Sequence, residues 1–296
     1  MKIGVVFPTT EIGNDPAAIR DFAQSAEDLA YDHIDLEEHV LGADPNREGG
    51  WTWGPAGAGR PGVTKDAAIH EPFVLCGYLA ACTRRIELAT AVLVLPQRQT
   101  ALVAKQAAEV DILSGGRLRL GVGAGWNPVE FQGLGADFHT RGRRQEEQIR
   151  LLRRLWQEDV VDFSGRFHRV ELAGINPLPG RRIPIWLGGV SDAALRRAAR
   201  LADGYMPLSL QPGDAAAEFK QRLHAYLAEA GRSPAEFGIE VWTGVRSGDP
   251  DAWRRALDGW RDYGATHATL RLYGLQSPGP DRYIDAMRRY MEAVSG

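Results

Sequence analysis

The succession of apolar runs and amphipathic segments in this chain predicts an α/β protein: a closed (β/α)8 barrel whose eight parallel strands are each followed by a helix. Three observations carry that prediction. Residues 86–127 read strand, helix, strand, and such a unit needs a parallel sheet. Short apolar runs alternate with helix-period segments from Ile3 to the last helix, giving eight pairs. The length of 296 residues is compatible with two ordinary domains and does not decide alone, but barrels of about 250 residues are single domains, so one domain over 1–296 is expected.

The first strand, 3–7, is stopped by Pro8, and Asp15-Pro16 then starts a helix as N-cap and N1 residue. Ile19, Phe22, Ala23 and Ala26 form its apolar stripe. The second strand, 33–36, delivers Glu37-Glu38-His39 at its C-terminal end, where barrels of this class place reactive groups. By residue type alone, the trio reads more readily as a surface or packed histidine beside glutamates than as a catalytic set. Residues 40–68 are glycine-rich, lack a period and contain Trp51 and Trp53. A loop of this length is expected to be a lid or pocket wall over a substrate, with plain surface packing as the alternative.

A helix over 72–82 leads to the third strand, 86–95, which is apolar without polar alternation and so expected to be covered on both faces. Val103, Ala107 and Val110 mark the next helix, from Thr100, and Ser114-Gly115-Gly116 lets the chain leave it. In the fourth strand Gly121, Gly123 and Gly125 remove alternate side chains, so that a flat ligand or another backbone can approach closely. The GxGxG spacing is a weak match to a dinucleotide fingerprint and sits in the wrong unit of the chain. Arg117 and Arg119 alternate with leucines here, and a charge inside a barrel is costly unless paired; Glu87 on the preceding strand is the expected partner.

Residues 126–182 form an insertion region: a loop over 128–140, a helix over 145–156, a small hairpin over 160–170 and the rigid turn Pro177-Leu178-Pro179-Gly180. The fifth strand, 183–187, runs through Gly188-Gly189-Val190-Ser191 into a helix over 192–202. Exposed backbone N–H groups at a helix N-terminus suit a phosphate, although any strand-to-helix turn also needs small residues. Strands at 204–208, 239–245 and 266–272, with helices at 215–230, 250–262 and 281–294, complete the set.

A net charge of −3, from 35 basic and 38 acidic residues, argues against nucleic acid as a partner. Cys76 and Cys82 form neither a disulfide framework nor a metal motif, and no metal site is expected. No run approaches the ~20 apolar residues of a membrane span or a signal peptide, so a cytoplasmic protein without membrane partners is expected.

The segments Thr90-Ala91-Val92-Leu93, Ala104-Lys105-Gln106-Ala107-Ala108, Leu113-Ser114-Gly115-Gly116-Arg117, Gly121-Val122-Gly123-Ala124-Gly125-Trp126-Asn127 and Ile185-Trp186-Leu187-Gly188-Gly189 together resemble the bacterial luciferase-like superfamily of TIM barrels, which use FMN or the deazaflavin coenzyme F420. The resemblance runs from Lys2 to the last helix and implies a luciferase-like TIM barrel with insertions after strands two and four. Within its F420-dependent branch, it implies hydride transfer with His39 moving the substrate's proton and Glu38 orienting it. The ring would lie against Thr90, Ala91, Val92, Gly123 and Ala124, with a cis peptide at Ala91-Val92, and the phosphate against Gly188, Gly189 and Val190. Trp126 and Trp53 would face the substrate, a small molecule. Sugar-phosphate dehydrogenases of the branch carry a glutamate where this chain has Trp126, which argues for an apolar or aromatic substrate surface.

Two alternatives stand beside this reading. One is an FMN-dependent monooxygenase using reduced flavin and O2, served by a flavin reductase; the other is a non-catalytic flavin-binding protein. A Schiff-base lyase would need a lysine at a strand end, where Lys2, Lys65, Lys105 and Lys220 do not lie. A homodimer is expected from the resemblance.

Overall fold

The computed structural model describes residues 1–48, 63–207, 210–275 and 279–295. Strands β1 (Lys2–Val6), β2 (His33–Leu36), β3 (Glu87–Thr90), β4 (Leu93–Val94), β5 (Leu118–Gly123), β8 (Ile185–Gly189), β9 (Gly204–Pro207), β10 (Gly238–Gly244) and β11 (His267–Arg271) form one parallel sheet. It closes on itself because β3 and β5, at opposite ends of the run through β1, β11 and β8, also pair with each other. The ring order is β1, β2, β3, β5, β8, β9, β10, β11, with β4 continuing β3 along β5. A small antiparallel hairpin, β6 (Val161–Ser164) and β7 (Arg169–Ala173), lies outside the ring.

The eight ring helices are α1 (Pro16–Asp28), α2 (Pro72–Cys82), α3 (Thr100–Ser114), α5 (Arg141–Gln157), α6 (Asp192–Leu201), α7 (Asp214–Glu229), α8 (Pro250–Tyr263) and α9 (Asp281–Ser295). Local chemistry sets their ends. Asp15 accepts from Ala17 N at 3.0 Å, Glu71 from Val74 N at 2.8 Å, and Gly115 and Gly116 leave α3 at φ 73° and 83°. Within the 126–182 region, α5 takes the ring position of the fourth helix between α3 and α6, so the additions to a minimal barrel are the hairpin and a short helix, α4 (Pro128–Gly133). That helix corrects the expected loop over 128–140: Asn127 caps it, accepting from Val129 N at 3.1 Å, and Pro128 occupies N1. No described helix is long and apolar enough to cross a membrane.

The third strand is divided. Ala91-Val92 between β3 and β4 is a cis peptide, as expected at that bond. Residues 49–62 of the lid expected over 40–68 lie outside the described residues, Trp53 among them; the described parts are tied together where Ala43 N donates to Val63 O and Lys65 N to Ala43 O, each at 3.1 Å.

Residues of β5 alternate between two interiors. Leu118, Leu120 and Val122 join the apolar layer under the helices, whereas Arg119 enters the barrel, 2% exposed. There Arg119 Nε donates to Glu87 at 2.6 Å, the expected partner, and Nη1 donates to Glu240, which the sequence did not indicate. Its Nη2 lies 3.5 Å from Asp35, and its guanidinium stacks 4.6 Å from the Trp186 ring. Thr269 donates to Glu240 at 2.6 Å and exchanges a 2.9 Å hydrogen bond with His33. The His33 ring occupies the space that a Cβ on Gly4 would fill, 2.1 Å from its Nε2. Arg117, by contrast, turns out of the barrel and donates to the carbonyls of Ala80, Thr83 and Ile86, closing the C-terminal end of α2.

Burial opposes charge on Glu240, but the Arg119 guanidinium together with the neighbouring Asp35 and His33 outweighs it and holds this carboxyl well below the usual range. Burial and the Glu240 charge push Asp35 well above its own. The pair therefore carries one negative charge against the guanidinium. Removing one member of such a buried pair costs on the order of 3–5 kcal/mol.

His267, beside this network, is pushed down to about 2 by burial and then by Arg119. An unfolded histidine binds a proton below about 6.5 while the folded one does not, so stability falls as pH drops below that value, by about 1.4 kcal/mol per unit. We expect the slope of unfolding free energy against pH between 6 and 5 to shrink by about one proton in His267→Phe. Urea titrations giving parallel curves for both proteins would refute this.

Candidate active site

The C-terminal end of β2 sends three consecutive side chains to three different neighbours. His39 turns to α4, where its Nδ1 lies 2.9 Å from Glu130 Oε2. Glu130 is 1% exposed, and its other oxygen accepts from Val40 N at 2.6 Å and Leu41 N at 3.4 Å. A carboxylate only accepts, so the proton on neutral His39 sits on Nδ1 and leaves the Nε2 lone pair free to act as a base. The ring stands edge-on to Trp126 with centroids 5.3 Å apart. Two residues expected in the site, His39 and Trp126, are therefore adjacent.

Glu38 takes a different direction from the one expected. It is 4% exposed, accepts from Val94 N and Arg98 Nη2, and receives Arg98 Nε at 2.7 Å. Arg98 also reaches Glu71 at 2.9 Å. The carboxylate that orients His39 is thus Glu130, and Glu38 instead fastens β4 and the start of α2 to the end of β2. Glu37, the third side chain, interacts with Arg271 at the end of β11 and Tyr273 beyond it, and burial lifts its carboxyl above the ordinary range against their pull.

The glycines of β5 accommodate protein. A Cβ on Gly121 would lie 1.9 Å from Thr90 O, one on Gly123 2.5 Å from Val92 Cγ2, and one on Gly125 2.5 Å from Val94 Cγ1. Thr90 Oγ1 also donates to Gly121 O at 2.7 Å. Of the two openings these glycines offered, a flat ligand or another backbone, the displaced third strand takes the space. Thr90, Ala91, Val92, Gly123 and Ala124 accordingly form one packed wall of the mouth, with Thr90 fully buried and Ala124 partly exposed.

Gly188, Gly189 and Val190 end β8 and lead to α6, whose N-terminus Ser191 caps by accepting from Ala194 N at 3.2 Å. Val190 is 81% exposed, so this turn opens to solvent. Asp192 in the first turn pairs with Arg196 at 3.1 Å and lies 3.8 Å from Arg222, while Arg196 also lies 3.6 Å from Glu229, so these side-chain charges balance and the positive end is that of the helix backbone. These groups fit a phosphate. Among the described residues, His33, Asp35 and Glu240 bring potential metal ligands within 4.8 Å of one another. Thr269 and Arg119 already engage the two oxygens of Glu240, so the guanidinium supplies the positive charge there.

Glu130 was missed because 128–140 read as loop. Its signal was present: Asn127 followed three residues later by Glu130 has the spacing of a helix N-cap and N3 pair. In the fold Glu130 reaches His39 and the 40–41 backbone instead of its own N-cap.

A family model described as luciferase-like monooxygenase matches residues 1–293. Curated relatives match over about half of this chain and half or less of their own length. An uncharacterized protein of Mycobacterium tuberculosis is 45% identical over 136 residues, covering 46% of this chain and 47% of the relative. The FMNH(2)-dependent dimethylsulfone monooxygenase of Pseudomonas fluorescens is 39% identical over 139 residues, 46% of this chain and 38% of the relative. The F420-dependent glucose-6-phosphate dehydrogenase of Mycobacterium avium is 37% identical over 144 residues, 46% and 43% respectively. Among solved structures, a monooxygenase from Streptomyces bottropensis superposes over 100% of this chain and 99% of its own with a TM-score of 0.79 at 20% identity, a likeness of fold.

The histidine geometry makes a spectroscopic prediction. At a pH where the ring is neutral, 15N shifts of His39 should report the Nδ1–H tautomer, and Glu130→Gln, whose amide can donate, should move the population toward Nε2–H. A wild-type ring already in the Nε2–H form would contradict the assignment.

Proposed function

This chain belongs to the luciferase-like monooxygenase family, and on that premise we propose that it is a flavin- or deazaflavin-dependent oxidoreductase, with coenzyme F420 as its cofactor and a small organic molecule as its substrate. The observation that carries the proposal is the buried Glu130 carboxylate holding Nδ1 of His39 and leaving Nε2 available at the mouth of the barrel. The residues present fit the cofactor. Gly188, Gly189 and Val190, with the N-terminus of α6, would hold the phosphate, and the wall formed by Thr90, Ala91, Val92, Gly123 and Ala124 would back the ring. When bound, the cofactor supplies a hydride acceptor or donor.

The protein's own part is proton transfer and positioning. His39 takes the substrate's proton on Nε2, or returns it, and the Glu130 carboxylate stabilises the imidazolium that results. Trp126, 5.3 Å from the His39 ring, supplies an apolar face against which substrate packs and from which water is excluded. Glu38 and Arg98 act at one remove, holding the strand end from which His39 projects.

The 39% identity with a dimethylsulfone monooxygenase favours a second reading, in which the cofactor is reduced FMN delivered by a reductase and the co-substrate is O2. Titration of the purified protein with F420 and, separately, FMN separates the two. Tight F420 binding with weak FMN binding supports the first, and the reverse transfers the assignment to the second. With the preferred cofactor, His39→Asn should lower turnover by about 10²–10⁴-fold while cofactor affinity stays within a few-fold; unchanged turnover would remove His39 from the reaction.

We also propose a homodimer. Val74 (72% exposed), Leu102 (52%) and Leu113 (71%), with Tyr78, lie on the outer surfaces of the neighbouring helices α2 and α3, an apolar face of the kind that marks an interface. Light scattering at micromolar concentration should give twice the chain mass, and a monomer would exclude it.

A further inference from the structure

On the side of the mouth built by β9, β10, β11 and α8 lies a cleft of about 710 Å³, a volume suited to a small organic ligand. Trp242, Trp253 and Trp260 contribute to its walls with Tyr273, and Arg246 and Arg271 supply charge. Among its described lining residues there is no aspartate or glutamate. Arg271 is held in place by stacking, its guanidinium carbon 4.1 Å from the Trp242 ring centre and 4.2 Å from that of Tyr273. Arg246 has no ion-pair partner among the described residues.

Two donors on residues that line this cleft are buried without acceptors. Trp253 is 4% exposed, yet its indole N–H has no hydrogen-bond partner, and neither does Nε of Arg271. Both atoms are shielded from the cleft itself, so what a ligand meets there is the charge of two guanidinium groups with no acid among the described lining side chains. Of the acids nearby, Glu37 interacts with Tyr273 and Arg271, and Glu11 accepts from Gly274 N at 3.2 Å without an ion pair to Arg246.

We propose that this cleft binds an organic anion, a carboxylate or sulfonate on a flat apolar body, with Arg271 and Arg246 at its charged end and the indoles against its body. Guanidinium forks match such oxyanions, and aromatic faces take a flat hydrocarbon surface. Glu37 joins the cleft wall to the strand end that carries His39, so the anion is also the class of substrate the enzyme would take. That last step rests on the function proposed above; the binding does not.

The test is calorimetric titration of the wild-type protein with 2-naphthoate, 2-naphthalenesulfonate and the neutral 2-naphthylmethanol. At least one anion should bind tenfold or more tightly than the alcohol, and Arg246→Gln should weaken that anion tenfold or more. Arg271→Gln is a second variant, used if its circular dichroism matches the wild type. Anion affinity within tenfold of the alcohol, no anion binding, or an Arg246→Gln affinity within tenfold of the wild type would overturn the proposal. The same preparations are titrated with F420 and FMN, so that loss of the redox assignment is distinguished from loss of the anion site.

Discussion

Pairing of β1 with β11 and of β3 with β5 leaves the ring without an edge, and with all strands parallel every C-terminal end must emerge on one rim. Residues separated by most of the chain become neighbours there. His39 follows the second strand, Glu130 the fourth and Arg271 the eighth, and no local preference could have assembled them. The same closure fixes what the barrel interior must hold. Side chains that alternate inward along eight strands share a narrow space, and at the level of Arg119 polar groups fill it.

That interior works by compensation. Arg119 is tolerable in the core because Glu87 and Glu240 accept from it, Trp186 covers its face, and Asp35 does not add a full second charge. Small residues make room: Gly4 yields to His33, and Gly121 and Gly123 yield to the third strand. The network is buried, and Arg119, Glu87, Glu240 and His33 lie in the first half of their strands, away from the C-terminal rim. It therefore supports the platform on which the reactive groups stand rather than taking part in their chemistry.

At the rim, consecutive residues divide the labour. Glu37 meets Tyr273 and Arg271, Glu38 fastens Arg98, and His39 meets Glu130 and Trp126, because neighbouring side chains at a strand end project in different directions. A carboxylate adjacent in sequence is for that reason a poor partner for the histidine. A carboxylate 91 positions away is the real one.

What the amino-acid sequence determined by itself is what depends on local periodicity and local conformational preference. Apolar strands of a few residues, helices begun by Asp15-Pro16 and ended by Gly115, and the recurrence of these pairs specify a (β/α)8 barrel. The Glu87 to Arg119 pair was legible as well, since a buried guanidinium requires an acid and the adjacent strand offered one. Tertiary structure alone decided that Glu130 rather than Glu38 serves His39, that Glu240 completes the core network, and that the glycines of β5 receive protein. It also gathered Trp242, Arg246, Trp253 and Arg271 around one cleft. These outcomes depend on which strand ends and helices closure brings together in space, and that information is not carried by any window of neighbouring residues.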